Sequence, residues 1–170
     1  MKRHTTKIIV ALICLGFLST YVITYFKGAK RVPTKIINTD EIAFNKEGEL
    51  AIIDTTGIVK KKLEIEIAET SYETQTGLMY RSKMQENRGM LFIFNNERIH
   101  SFYMKNTRIP LDILYINKDF EIVSVVENAT PYDETSLPSQ FPVMYVLEVN
   151  GGMKDKWGIE IGDKISFTKN

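Results

Sequence analysis

The sequence predicts a mainly β protein: a compact antiparallel or mixed β-barrel or sandwich with one or two short helices, preceded by an N-terminal transmembrane helix. Three observations support this class. Runs of strand length recur between residues 42 and 167, turn sequences separate several of them, and a long uncharged segment lies near the N-terminus. With 44% apolar and 25% charged residues, the composition is that of a folded globular protein.

The uncharged segment covers residues 8–26, which hold no charged side chain in 19 positions. At about 1.5 Å rise per residue, a helix of this length spans the hydrocarbon core of a bilayer. A basic N-tail, residues 1–7, precedes it, and a polar tether, residues 27–40, follows it. Because no good small-residue cleavage site follows, we predict an uncleaved, single-pass anchor in the cell membrane.

The orientation of this anchor is not fixed by charge, because basic residues flank both of its ends. The basic N-tail resembles the start of an export signal, which favours an extracytoplasmic domain. Cys14 offers the alternative of a lipoprotein, but a small residue must precede a lipidated cysteine and Ile13 stands there. Residues 41–170 contain no cysteine, so a disulfide and a thiol nucleophile are both excluded from the domain.

Residues 41–170 have the usual length of one compact domain. The first 31 residues carry six basic side chains and no acid, which leaves 16 basic against 21 acidic side chains in the remainder. Binding to nucleic acid depends on an excess of Lys and Arg at the phosphate backbone. We therefore expect no nucleic-acid partner.

Strands are predicted wherever apolar residues alternate with polar ones or form short continuous runs. The sequences NKEGE, DTTG, NKDFE and NGG lie between such runs and favour hairpins over βαβ crossovers. The predicted strands cover residues 42–45, 49–54, 62–69, 90–94, 111–117, 121–126, 143–149 and 164–167.

A helix is predicted over residues 71–80, because Thr70 and Glu73 form a capping-box pattern. Gly77 weakens the second half of this helix. A second short helical turn is predicted over residues 153–157.

Three acids are candidate catalytic residues because they share strand faces with apolar side chains. In the run 63–69, Leu63, Ile65 and Ile67 alternate with Glu64 and Glu66, so those two glutamates should face water. Glu69, Asp112 and Glu148 have inward parity instead. A buried carboxylate must be paired, hydrogen-bonded or protonated.

Arg81 and Lys105 are the cations available to these acids, and we expect at least one acid within ion-pair distance of Arg81. One interpretation is structural: the cations neutralise internal acids and hold loops against the sheet. The other is a pocket in which a neutral acid and an ionised one act as general acid and base.

Metal and cofactor chemistry have little support in the sequence. His100 has no spaced partner and is expected in a surface loop, and no metal-ligand motif occurs. The methionines lie in apolar runs, where core filling is more common than copper ligation. We therefore expect no metal and no cofactor.

Several segments in a fixed order resemble the family called domain of unknown function 192: GLMYR (77–81), RGMLFIF (88–94), FYMKNTRIPLDILYIN (102–117), VLEVNGG (146–152) and GIEIGDKI (158–165). The resemblance covers residues 61–168. The family usually has tryptophan where this chain has Tyr103, a change expected to alter pocket size more than chemistry. The resemblance implies a β-rich domain, often behind an export signal or anchor, and no established activity. Its polar motif residues fall on Glu69, Arg81, Lys105, Asn106, Thr107, Asp112 and Glu148, of which Arg81, Lys105, Asn106, Thr107 and Asp112 are candidate ligand-binding residues.

The hypothesis that best fits the sequence is a membrane-anchored, extracytoplasmic binding or accessory module for an envelope glycan, lipid headgroup or protein. The alternative is a hydrolase or lyase that acts on an envelope polymer through its carboxylates. A structural role in a membrane assembly is a third hypothesis. Two acids at glycosidase separation in an open cleft would favour the enzyme.

Overall fold

The computed structural model describes residues 42–170, which belong to one compact unit. The predicted N-tail, anchor and tether lie outside the described residues. Within residues 42–170, no helix is long and apolar enough to cross a membrane. The described elements are β1 (Gly48–Ile53), β2 (Val59–Ala68), α1 (Ser71–Thr76), β3 (Arg88–Arg98), β4 (Ser101–Phe102), β5 (Leu111–Ile116), β6 (Ile122–Ala129), β7 (Leu137–Pro138), β8 (Val143–Asn150), α2 (Met153–Lys156) and β9 (Lys164–Lys169).

A mixed seven-stranded sheet, in the order β6-β5-β8-β3-β2-β1-β9, dominates the fold, and β4 pairs with β7 beside it. The mainly β class is therefore confirmed. The predicted turns DTTG and NKDFE do connect antiparallel neighbours, β1 to β2 and β5 to β6. Strands β2 and β3 are parallel, however, and α1 lies in their connection. The preference for hairpins over crossovers was wrong here, because parallel neighbours require a crossover. The hairpins predicted at NKEGE and NGG were also wrong, since no strand precedes NKEGE among the described residues and NGG leads from β8 into α2.

Of the two predicted alternatives, a barrel or a sandwich, the closed barrel is wrong, because the two edges of the sheet meet at one end only. An isolated bridge joins Glu121 to Lys164, and the Ile122 N–H donates to the Asp163 carbonyl at 2.8 Å. Beyond this bridge β6 is paired with β5 and not with β9. The sheet is therefore curled but open.

The segment before β1, residues 42–47, is not a strand, so the strand predicted at 42–45 was wrong. The backbone of this segment is held by side chains of β2 and by single backbone contacts. The Asn45 N–H donates to Glu66 Oε1 at 3.0 Å, and the Glu47 N–H donates to the Ile65 carbonyl at 2.9 Å. The segment therefore lies against β2 without joining the sheet.

Helix α1 begins as the sequence predicts and ends four residues early. The Glu73 N–H donates to Thr70 Oγ1 at 3.2 Å and the Thr70 N–H donates to Glu73 Oε2 at 2.9 Å, which completes the capping box. Gly77 then takes φ +47°, outside helical geometry, and Tyr80 has φ +66°. The chain therefore leaves the helix at Thr76 and runs as turns up to Arg81.

Apolar cores lie on both faces of the sheet. The first gathers side chains of β1, β2, β8 and β9, including Ile52, Ile65 and Leu147. The second gathers the other faces of β3, β5 and β8 with Leu78 and Met104 from the connections. All six residues of β5 are buried, as its continuous apolar run predicts. A polar side chain on the central strands is therefore taken out of water on either face.

Candidate functional site

Asp112 is a structural residue by its contacts. It is fully buried, its Oδ1 accepts from the N–H groups of Asn128 at 2.8 Å and Gly152 at 3.1 Å, and its Oδ2 accepts from Lys154 N–H at 2.7 Å. Lys154 lies in the first turn of α2, so the carboxylate caps a helix whose N-cap is a glycine. Through these three bonds the carboxylate holds the β8–α2 connection in place.

Glu69 was predicted to face inward, and this was wrong. Strand β2 ends at Ala68, so strand parity no longer applies to the next residue. Glu69 is 46% exposed and forms an ion pair with Lys169 at the surface. It lines neither of the two cavities described below.

Glu66 is the acid that pairs with Arg81, although its parity placed it in water. Arg81 Nη2 lies 2.7 Å from Glu66 Oε2, and both side chains are buried. The expectation that Arg81 would pair with Glu69, Asp112 or Glu148 was therefore wrong. Glu66 lies opposite Met90 of β3, on the face of the sheet that carries the second core, and it also accepts the Asn45 N–H. This face is therefore as buried as the other one.

Glu148 is the predicted acid that remains available for chemistry. On the central strand β8 it lies opposite Met90 of β3 and Ile113 of β5, both of them core residues. It is 5% exposed, and the structure gives its carboxyl no hydrogen bond or ion pair with another residue of 42–170. Burial raises the pKa of Glu148 from 4.5 to about 8. At neutral pH the carboxyl is therefore uncharged and can donate a hydrogen bond.

The Glu148 carboxyl lines a cavity of about 160 Å³ between α1 and the β3–β4 region, which we call the Glu148 pocket. No Lys, Arg or Asp is among its lining residues, which are Thr74, Gln75, Thr76, Gly77, Leu78, Met79, Phe92, Phe94, His100, Ser101, Phe102, Tyr103, Thr107 and Glu148. The chain passes close over this cavity at Gly77. A Cβ at this position would lie 3.1 Å from the Phe92 ring and 3.8 Å from Glu148 Oε2, so a larger residue would crowd the ring. The pocket is thus aromatic and uncharged.

His100 also lines the Glu148 pocket, and its predicted position in a surface loop was wrong. It is 7% exposed and stacks on Phe94, with ring centroids 3.6 Å apart and planes 19° apart. Its Nε2 has no hydrogen-bond partner, so the bond with the Asn96 backbone involves Nδ1. Burial lowers the pKa of His100, which favours a neutral ring with Nε2 as a free acceptor. His100 lies in the connection from β3 to β4, and no local signal in the sequence distinguishes a buried position there from an exposed one.

Of the predicted ligand-binding residues 105–107, only one lines the Glu148 pocket. Thr107 is buried and lines the Glu148 pocket. Lys105 is half-exposed, 4.0 Å from Glu134, and Asn106 donates from Nδ2 to the Tyr80 hydroxyl at 2.8 Å. Arg81 lines a different cavity. The predicted ligand-binding residues therefore do not form one site.

Metal ligation has no visible site in this part of the protein. Across residues 42–170, no three His, Cys, Asp or Glu side chains are grouped closely enough to hold an ion. Met90 and Met104 are buried in the second core.

Two solved structures share this architecture. A protein of unknown function from Novosphingobium aromaticivorans DSM 12444 superposes with a TM-score of 0.66 at 39% identity, covering 69% of this chain and 83% of that one. A proposed transcription regulator from Sinorhizobium meliloti 1021 superposes with a TM-score of 0.70 at 36% identity, covering 75% of this chain and 97% of that one. Among curated proteins, none matches this chain.

The comparison with protein families agrees with the resemblance carried by the sequence segments. The family described as an uncharacterized ACR, domain of unknown function 192, matches residues 51–167, which include every strand from β2 to β8, both helices and Glu148. The chain belongs to the domain of unknown function 192 family.

Proposed function

We propose that this protein is a binding module that holds an uncharged, hydroxyl- or amide-bearing group in the Glu148 pocket, and that this group is part of an envelope glycan. The observation that carries the proposal is a buried carboxyl without a partner that opens into an aromatic cavity. A buried polar group left unpaired costs about 1–3 kcal/mol, which a bound ligand would recover.

The two polar groups of the pocket define what the ligand must offer. The protonated Glu148 carboxyl donates, so the ligand needs an acceptor oxygen, and the neutral His100 Nε2 accepts, so the ligand needs an O–H or N–H donor. Hydroxyl and acetamide groups of sugars provide both. A charged headgroup would enter an uncharged cavity without a compensating cation, at a large desolvation cost.

The size and walls of the pocket also fit a sugar. A cavity of about 160 Å³ is close to one that holds a single six-membered ring. Phe92, Phe102 and Tyr103 line the cavity, and the C–H face of a pyranose packs favourably against aromatic side chains. A glycan is therefore favoured over the lipid headgroup or protein also considered as partners.

The location proposed for this module follows from the sequence. Residues 8–26 would anchor the chain in the cell membrane and the domain would lie on the extracytoplasmic side, within reach of envelope polymers. A nucleic-acid ligand is disfavoured by the excess of acids after residue 31, although one structural relative is a proposed transcription regulator.

Equilibrium binding tests the proposal. The full chain in a non-ionic detergent would be titrated with N-acetylglucosamine oligosaccharides as neutral probes and with uronic-acid oligosaccharides as charged ones. Tyr103→Ala removes a 44% exposed wall residue, so affinity should fall several-fold, up to about tenfold. Tyr132→Ala is the matched control, since this tyrosine is 62% exposed and does not line the pocket. Preference for the charged probes, or equal losses in both variants, would contradict the proposal.

The alternative of a hydrolase or lyase has one observation in its favour, an acid and a neutral imidazole on the same cavity. An enzyme that uses two or three cooperating carboxylates, as the sequence suggested, lacks support, because Glu148 is the sole acid among the lining residues of this pocket. Incubating the same oligosaccharides with the protein and measuring released reducing ends distinguishes turnover from binding.

A further inference from the structure

A second cavity, of about 360 Å³, lies between the segment 42–44 and the connection from α1 to β3. Three cations line it, Arg81, Lys83 and Arg88, and none of its lining residues within 42–170 is a carboxylate. It shares no lining residue with the Glu148 pocket. The two cavities therefore differ in chemistry as well as position.

Arg81 is the fixed cation of this cavity. It is 6% exposed, and the carboxylate that neutralises it, Glu66, does not line the cavity. Glu66 Oε2 contacts Arg81 Nη2, and Glu66 Oε1 accepts the Asn45 N–H. The Glu66 side chain therefore positions both Arg81 and the neighbouring segment 42–44, which forms one wall of the cavity. Arg81 Nε has no hydrogen-bond partner. A guanidinium with five N–H groups thus has donors that its protein partner does not use.

Arg88 is held in a similar way on the other side of the cavity. Its guanidinium lies 4.2 Å from the centroid of the Phe44 ring, and its Nε is 3.3 Å from Glu64 Oε2. Glu64 does not line the cavity either. The acids that pair with the two arginines therefore do not line the cavity, whereas both arginines and Lys83 do.

We propose that this cavity binds an anionic phosphate group. Arginine forks match the paired oxygens of a phosphate, and stacking on Phe44 fixes one fork in advance. Two sources present this chemistry: the headgroup of an anionic phospholipid and a free phosphate ion or ester. The headgroup has one point in its favour, since residues 42–44 follow the predicted membrane tether directly in the sequence.

Calorimetric titration of the full chain in a non-ionic detergent tests this inference and separates the sources. The probes are inorganic phosphate, dihexanoyl phosphatidylglycerol and, as a zwitterionic counterpart, dihexanoyl phosphatidylcholine. Arg88→Gln should weaken binding of the anionic probe about tenfold or more, the effect of losing one charge-assisted hydrogen bond. Lys118→Gln is the control, because this lysine is 62% exposed, lies 4.0 Å from Glu97 and is outside the cavity.

Binding of phosphate, of the glycerol lipid or of both supports the site, and the pattern identifies the source. No binding of either anionic probe, equal binding of the choline lipid and the glycerol lipid, or an equal loss in Arg88→Gln and Lys118→Gln overturns it. Lys83→Gln, at an exposed loop position, provides a second variant if Arg88→Gln does not fold. Saccharide binding should survive in all these variants, so failure here is distinguishable from failure of the Glu148 pocket.

Discussion

Replacing Glu148 by glutamine should change how stability depends on pH. In the folded protein, burial raises the pKa of Glu148 to about 8, whereas an unfolded glutamate titrates near 4.5. Between these values the folded state holds a proton that the unfolded state releases. The contribution of Glu148 to the free energy of unfolding is therefore largest below pH 4.5 and decreases as the pH rises. The decrease ends once the carboxyl of the folded protein ionises near pH 8.

The magnitude follows from the width of that window. Each pH unit in which one proton separates the two states is worth about 1.4 kcal/mol. Across the interval from 4.5 to about 8, the wild-type protein should lose roughly 4–5 kcal/mol relative to a variant that cannot ionise. Glu148→Gln keeps the shape but adds a buried amide, at a cost of about 1–3 kcal/mol at every pH. The variant should be less stable than wild type in acid and more stable above pH 8.

Urea unfolding measures this difference across the pH range. Trp157, the sole tryptophan, packs against the first core and reports unfolding by fluorescence. Glu127→Gln is the matched control, because Glu127 is 51% exposed, lies in β6 and pairs with Lys154 at the surface. Its pH profile should run parallel to that of wild type. If Glu148→Gln also runs parallel to wild type, the assignment of a neutral buried Glu148 is wrong.

Four further outcomes are expected. Arg81→Ala should cost on the order of 3 kcal/mol in urea unfolding, because it leaves Glu66 buried and unpaired, and the added change Glu66→Gln should recover part of that loss. Asp112→Asn should cost about 2–3 kcal/mol in the same assay, since an amide cannot accept all three backbone N–H groups; no measurable loss would contradict the capping role. A chelator should leave the melting temperature unchanged, and a fall of many degrees would reveal a metal. Intact mass of the native protein should include residues 8–26, whereas a chain starting near residue 30 or a lipid on Cys14 would remove the predicted anchor.

Strand parity correctly predicted that Glu148 is buried, but it predicted the wrong exposure for Glu69 and Glu66. Parity holds inside a strand with both neighbours in place, as for Glu148 between β3 and β5. Glu69 follows the last residue of β2, where the pleat ends. Glu66 lies on the opposite face of β2 from Leu63 and Ile65, as its parity predicts, but that face carries the second core and is buried as well. Whether a second core covers the other face depends on segments distant in the sequence, which local periodicity does not contain.

The pairing of strands was predictable only where turns are short. DTTG and NKDFE join antiparallel neighbours directly, and the capping box at Thr70 fixed the start of α1. The parallel contact of β2 with β3 depends instead on where the connection through α1 returns to the sheet. The same limitation applies to His100, whose backbone N–H donates to Ser139 Oγ, 39 residues further along the chain.

The central claim is that an uncharged Glu148 carboxyl binds a neutral ligand group, and the pH dependence of binding tests it most directly. The full chain and Glu148→Gln would each be titrated with an N-acetylglucosamine oligosaccharide at neutral pH and well above pH 8. Wild-type affinity should fall as the carboxyl loses its donated proton, by about tenfold or more, while the amide variant should bind with the same affinity at both pH values. Equal affinity of the wild-type protein at both pH values, or a parallel fall in the variant, would contradict the claim.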